Sequence, residues 1–265
     1  MKALTIITAD ERLREQRGAK VLIIGVFGVG KTSLLRTLDV TSTLFIDIEG
    51  GDLAVIGLPV DTIRLDDWPS ARDLACRIAG SNPSFGPNQC YSAEHYRAIG
   101  GPLPDLEKYS TFFIDSITAL SRLSFRHAEQ QPEAFTERGR KDVRGAYGLH
   151  AREMLMWLNH LQHARDKNVI FVGVLERSTD EFGRPADWQL QSEGQKTGKE
   201  LPGIVDQIVT MSWIDFGDGS PPTRAFVCTS PNAWNYPAKD RSGRLEQIEP
   251  PDLGRLLAKL TQAKT

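Results

Sequence analysis

The sequence predicts a mixed α/β fold: a mainly parallel sheet flanked by helices, with antiparallel strands at its C-terminal end. Three observations predict it. The runs "KVLIIG", "TLFID", "TFFID" and "NVIFVGVLE" are apolar and β-branched. They are too short for helices and too uniformly apolar for a half-exposed sheet, so they read as strands buried on both faces. Helical spacing separates them, and strand–helix alternation implies parallel strands covered on both sides. Later the pattern changes: "VDQIVTMSW" and "TRAFVCTS" flank the turn-like "IDFGDGSPP", which reads as an antiparallel pair.

In order, "TADERLREQ" reads as a short helix, with Thr8 and Glu11 at capping-box spacing. "KVLIIG" is the first buried strand, closed by a glycine, and "KTSLLRTL" the helix after it. "STLFIDIE" is the second strand, stopped by Gly50 and Gly51; "WPSARDLACRIAG" is helical, with Pro69 acceptable in a first turn. Residues 81–108 are rich in Pro, Gly, Asn and Ser and read as a loop-rich insertion with little core of its own. "STFFIDSITAL" opens with the third strand. From Leu149 to Asp166, Ala151, Leu155, Leu158 and Leu161 recur at helical spacing, widened by Met154 and Trp157, so this helix covers the sheet. "NVIFVGVLE" is the fourth strand. "PPDLGRLLAKL" closes the chain as a helix with Leu253, Leu256, Leu257 and Leu260 on one face. Without internal repeat or composition break, residues 1–265 read as a single domain, 1–19 being an N-terminal extension.

The composition bounds the function. With 40% hydrophobic and 25% charged residues, the 265-residue chain has ordinary globular proportions. A net charge of −2 confines any nucleic-acid contact to a local patch. Cys76, Cys90 and Cys228 lie far apart, which argues against a disulfide framework or a zinc site. "MKALTIITADERL" turns polar too early for a signal peptide and no run reaches membrane-spanning length, so the expectation is a cytoplasmic protein.

Gly25-x-x-x-x-Gly30-Lys31-Thr32 fits the phosphate-binding loop pattern, with the required strand before it and helix after it. Glycines let successive backbone N–H groups turn toward phosphate oxygens. Lys31 reaches the outer phosphates, and the Thr32 hydroxyl can ligate Mg²⁺. A magnesium nucleotide also needs a carboxylate at a strand end. Asp47 and Asp115 both qualify, and the residue pattern leaves the choice open. Glu49 follows Asp47 by two residues, at the strand end where open α/β sheets bind ligands.

Together, "GVFGVGKTS", "LFIDIEGG", "TFFIDSITAL" and "VIFVGVLE" resemble the RecA-type ATPase core. More narrowly they resemble phage nucleotide-binding proteins related to RecA, some of which are single-strand-annealing recombinases. The resemblance runs from about Lys20 to Leu260 and implies a RecA-like P-loop NTPase core with ATP and Mg²⁺ as cofactors. Carried over, it implies nucleotide contacts from Gly25, Val26, Phe27, Gly28, Val29, Gly30, Lys31, Thr32 and Ser33. Glu49 then activates the attacking water, Thr32 and Asp115 serve the metal, and Asp47 is structural. In "YPAKDRSGRLEQIE", Lys239 and Arg241 resemble the Lys-x-Arg element that reaches a neighbouring subunit's nucleotide, which implies a homo-oligomer with ATP at its interfaces. The alternative for this short pattern is a solvated basic turn. The chain departs from the family at Glu176, where RecA proteins usually carry glutamine. A carboxylate near a terminal phosphate is repelled unless protonated or turned away, so pairing with Arg177 or Arg184 is the competing expectation. No Asn-Lys-x-Asp guanine reader is present, which favours ATP.

Two segments are candidates for single-stranded DNA. From Arg122 to Arg152, seven basic residues outnumber four acidic ones, with Phe125, Phe135 and Tyr147 interleaved. Arg138, Arg140, Lys141 and Arg144 are the densest part, suited to backbone phosphates. From Arg177 to Gly203, at the place of a RecA-type DNA loop, Phe182 and Trp188 could stack on bases while Arg184, Lys196 and Lys199 meet phosphates. His160 and His163 are i, i+3 but lack a third ligand, so solvated histidines are expected. The sequence therefore predicts a RecA-like ATPase acting on single-stranded DNA in phage recombination or replication. A phage single-strand-binding or replication protein is a further expected partner, and a bacterial host cell the compartment if the protein is phage-encoded. The competing expectation is a nucleotide-gated assembly protein with little hydrolysis and a protein partner.

Overall fold

The computed structural model describes residues 6–261, so the first five residues of the expected N-terminal extension lie outside it. The strands are β1 (Lys20–Gly25), β2 (Thr43–Asp47), β3 (Asp61–Arg64), β4 (Thr111–Asp115), β5 (Asn168–Thr179), β6 (Pro185–Leu190), β7 (Gln207–Ile214), β8 (Thr223–Val227), β9 (Lys239–Asp240) and β10 (Ile248–Glu249). The α-helices are α1 (Ala9–Arg14), α2 (Trp68–Ala79), α3 (Ala93–Ala98), α4 (Ile117–Ala128), α5 (Val143–Gln162), α6 (Gln195–Ile204) and α7 (Leu253–Thr261).

The main path of the sheet runs β10-β8-β7-β1-β5-β4-β2-β3. From β7 to β3 all neighbours are parallel. β8 and β10 extend the sheet antiparallel, as the change of pattern after β5 predicts. β5 lies between β1 and β4, so the glycine-loop strand and the strand carrying Asp115 are separated by one strand.

Alternation along β1 divides the core. Leu22 and Ile24 face a layer built from α2, α4 and α5, with Leu74, Leu120, Leu158 and Leu161. Val21 and Ile23 face the other side, where Leu34, Leu35, Leu253 and Leu256 cover the sheet. Every residue of β1, β2 and β4 is buried. Full burial of each large apolar side chain contributes about 1.5–3 kcal/mol. Phe45 and Phe113 meet edge-to-face across β2 and β4, with ring centroids 6.1 Å apart.

The expected capping box forms at α1, where Thr8 and Glu11 exchange side-chain and backbone hydrogen bonds. Asp67 caps α2 by accepting from the Ser70 amide. Several elements differ from expectation. The segment after the glycine loop is a six-residue 3₁₀ helix, Thr32–Thr37, rather than an α-helix. Thr37 Oγ1 donates to the Leu34 carbonyl and accepts from the Leu253 amide, tying its last turn to α7. β2 stops at Asp47, two residues early, because the Asp47 carboxylate accepts from the amides of Gly50 and Gly51 and turns the chain. β3 carries no apolar signature because it is an edge strand with mostly exposed residues.

Segment 81–108 holds the short helix α3 and sends Tyr91, which is 1% exposed, into the main core. The supposed loop after Glu176 is an antiparallel hairpin of β5 and β6 followed by α6. Gly194, Gly198, Pro202 and Gly203 argue for a loop there, but burial of Leu201 and Val205 overrides them. His163 is exposed as expected, but His160 is not. His160 stacks on Tyr91 at 4.2 Å, and burial lowers its pKa to about 4. His150 is buried between Ser124 and the Glu193 carbonyl, so neither is solvated.

Candidate active site

The glycine loop leaves β1 and needs glycine at two points. Gly28 and Gly30 adopt φ of +73° and +97°, a region that side chains resist. Val29 is 2% exposed and pins the loop to the core, while Phe27 between the glycines points outward. Lys31 folds over the loop and donates to the carbonyls of Gly25 (2.8 Å) and Val26 (3.0 Å). Burial lowers its pKa, and the Asp115 and Glu49 carboxylates counteract that. Because the following helix is short and 3₁₀, phosphate-holding capacity rests on the loop amides and Lys31 rather than on a long helix dipole.

Three carboxylates, Asp47, Glu49 and Asp115, lie at neighbouring strand ends on this side of the sheet. Asp47 and Asp115 are register partners across β2 and β4, and the Asp115 carbonyl accepts from the Ile48 amide at 2.8 Å. Thr32 Oγ1 donates to Asp115 Oδ2 at 2.5 Å. The Asp115–Ser116 peptide is cis. Ser116 caps α4 and its hydroxyl donates to Glu49 Oε1. Lys31, Thr32, Glu49, Asp115 and Ser116 thus form one connected set drawn from three strand ends.

The electrostatics of this set favour a cation. Burial first, then the charges of Glu49 and Asp47, raise the Asp115 pKa to about 6; the Thr32 hydroxyl and Lys31 oppose the rise. Asp47 Oδ1 is occupied by the loop amides, but its buried Oδ2 has no hydrogen-bond partner among the described residues. Among the described residues no three His, Cys, Asp or Glu side chains converge to hold a metal by themselves. Mg²⁺ takes one or two protein ligands and completes its shell with phosphates and water. Thr32 and Asp115 are donors of that kind, so the residues present fit the ion.

The remaining candidate residues lie elsewhere. Lys239 and Arg241 are near the start of β7, away from the glycine-loop end of the sheet, so they do not join the loop of their own chain. Lys239 Nζ donates to the carbonyls of Pro202 and Val205, and Arg241 pairs with Asp206 at 3.0 Å. Glu176 pairs with neither arginine; it accepts from Gln189 Nε2 at 3.2 Å. Arg177 instead covers the Trp188 ring, and Arg184 the Phe182 ring. Trp188 also packs on Tyr236 and is half-buried, while Phe182 is exposed at the hairpin tip. Arg138, Arg140 and Lys141 are exposed on the loop leading into α5 and Arg144 in its first turn, with no ion pair among the described residues. A cavity of about 750 Å³ lies between α5, the β5–β6 hairpin and α6, and no glycine-loop residue lines it. Sequence reasoning missed Arg224, whose guanidinium packs against Gly30 from β8; nothing in "TRAFV" signals that contact.

A family model described as an AAA domain matches residues 17–242. No curated protein sequence matches the chain. Among solved structures, a KaiC-like protein from the hyperthermophilic archaeon Pyrococcus horikoshii shares 11% identity at a TM-score of 0.38, over 80% of this chain and 78% of that one. An ATPase from the type III secretion system of pathogenic bacteria shares 15% identity at a TM-score of 0.43, over 74% of this chain and 51% of that one. The parallel sheet, the glycine loop and the carboxylates at its edge agree with the family match, and the chain belongs to the AAA domain family.

Proposed function

We propose that the protein is a Mg²⁺-dependent ATPase of RecA type that acts on single-stranded DNA in recombination or replication of the phage kind, as an oligomer with nucleotide at its interfaces. The observation that carries the ATPase reading is the connected set of Lys31, Thr32, Asp115, Ser116 and Glu49 around the glycine loop. Bound Mg²⁺ would neutralise phosphate charge as the terminal phosphoryl group transfers. Loop amides and Lys31 hold the phosphate chain. Thr32 and Asp115 offer oxygens to the ion, and its charge favours the ionised form of Asp115. Glu49 accepts the proton of the attacking water, with Ser116 fixing its carboxylate.

The DNA reading is supported by the exposed cluster at Arg138–Arg144 and by Phe182 beside Arg184. Two observations favour a slower, nucleotide-gated assembly protein instead: the Glu49 carboxylate is engaged by Ser116, and Arg241 by Asp206. ATP turnover in Mg²⁺, with and without single-stranded DNA, tests the choice. Stimulation by DNA supports the recombination reading. Slow turnover indifferent to DNA refutes it in favour of the assembly reading. Unchanged nucleotide affinity and turnover in Lys31→Ala would remove the glycine loop from both.

A further inference from the structure

The glycine loop has two flanks. On one, β2 and β4 bring the carboxylates. On the other, β7 runs beside β1, with Ile24 opposite Thr210, and continues past the end of β1 to Trp213. β8 pairs with it so that Arg224 stands opposite Trp213. The Arg224 guanidinium lies over the Trp213 ring at 5.7 Å. Its Nη1 is 2.5 Å from where a Cβ would stand on Gly30, so Gly30 leaves the space that the guanidinium occupies. Arg64 on the edge strand β3 pairs with Asp52, and Arg241 after β9 pairs with Asp206. Among the described residues the Arg224 side chain has no hydrogen bond or ion pair; its charge rests on an aromatic face and against a glycine of the loop.

Arg224 is exposed on β8, so its guanidinium can turn from the Trp213 ring toward a ligand on the loop. A phosphate chain seated on the loop would meet the guanidinium beside Gly30 together with the Lys31 ammonium and the backbone N–H groups. Arginine's planar fork also matches phosphate oxygens better than a lysine does. We infer that Arg224 is a phosphate-binding residue of the nucleotide site, supplied in cis from the antiparallel end of the sheet and held in place by Trp213. The inference rests on the nucleotide-binding reading of the glycine loop and adds to it a second cation from the same chain.

Calorimetric titration of the full chain with Mg²⁺–ADP, Mg²⁺–ATP and inorganic tripolyphosphate tests this, on wild type, Arg224→Ala, Arg224→Lys and Lys31→Ala. Arg224→Ala is expected to lose about ten- to a hundredfold in affinity for all three ligands, the size of one charge-assisted hydrogen bond. Arg224→Lys is expected to recover part of that loss. Tryptophan emission gives an independent readout. Nucleotide that draws Arg224 off its ring changes the Trp213 signal, and the change disappears in Trp213→Phe and in Arg224→Ala. Wild-type affinity in Arg224→Ala, with binding lost in Lys31→Ala, overturns the inference and leaves the loop reading intact. Loss for the nucleotides but not for tripolyphosphate also overturns it, because Arg224 would then read the nucleoside. If the wild type binds none of the three, the loop reading fails and the inference with it.

Discussion

Replacing Asp115 with asparagine isolates what the site costs the free protein. Asp115 is buried, and its pKa is raised from 3.8 to about 6 by burial and by Glu49 and Asp47. A carboxyl whose pKa is higher folded than unfolded keeps its proton longer in the folded state. Stability from this group is therefore present at low pH and lost as pH rises from about 4 through about 6. The gap corresponds to at most about 3 kcal/mol at neutral pH. Asparagine keeps an acceptor for Thr32 and cannot ionise, so it imitates the protonated acid. Without nucleotide or Mg²⁺, Asp115→Asn is expected to match the wild type near pH 4 and to exceed it above pH 7 by up to that amount. In a thermal melt that is a rise on the order of 5–10 °C. Adding Mg²⁺–nucleotide should narrow the gap, because the ion favours the carboxylate of the wild type. Melts at the two pH values, with and without ligand, decide the matter. A difference that is the same at both pH values would show that the carboxylate is not destabilised in the free site.

Four further outcomes are expected. Glu49→Gln should keep nucleotide affinity while turnover falls about 10²- to 10⁴-fold, the usual contribution of a positioned base. Asp47→Asn should reduce turnover less but weaken folding, since Asp47 accepts two amides at the β2 turn; steady-state kinetics beside urea unfolding would expose the opposite ranking. Arg241→Ala should lower turnover and leave the chain's own nucleotide affinity unchanged, and mixing it with Lys31→Ala should restore activity at interfaces where both groups are intact. No recovery after confirmed subunit exchange would assign Arg241 to its Asp206 pair alone. Arg138→Ala with Arg140→Ala should weaken single-stranded DNA binding for every sequence and flatten the salt slope by about 1.4, two phosphate contacts at roughly 0.7 each; an unchanged slope in anisotropy titrations would exclude the cluster.

By itself the sequence determined the elements whose signal is local. β1, β2, β4 and the first part of β5 are continuous apolar runs, and burial on both faces leaves such runs little choice but the middle of a parallel sheet. The glycine loop was legible because φ values such as those of Gly28 and Gly30 restrict the residue type. The capping of α1 was legible because Thr8 and the Glu11 amide are three residues apart. The tertiary structure decided everything that depends on distant partners. It made the Arg177–Gly203 segment a hairpin and a helix, because Leu190, Leu201 and Val205 find the core. It fixed β3 through pairing with β2 rather than through apolar character. It buried His150 and His160, whose partners lie tens of residues away. Of the two alike strand ends it gave Asp115 the Thr32 hydroxyl and Asp47 the turn amides, a division that local patterns left open. It also set Arg224 against Gly30, a contact between residues that no spacing rule connects.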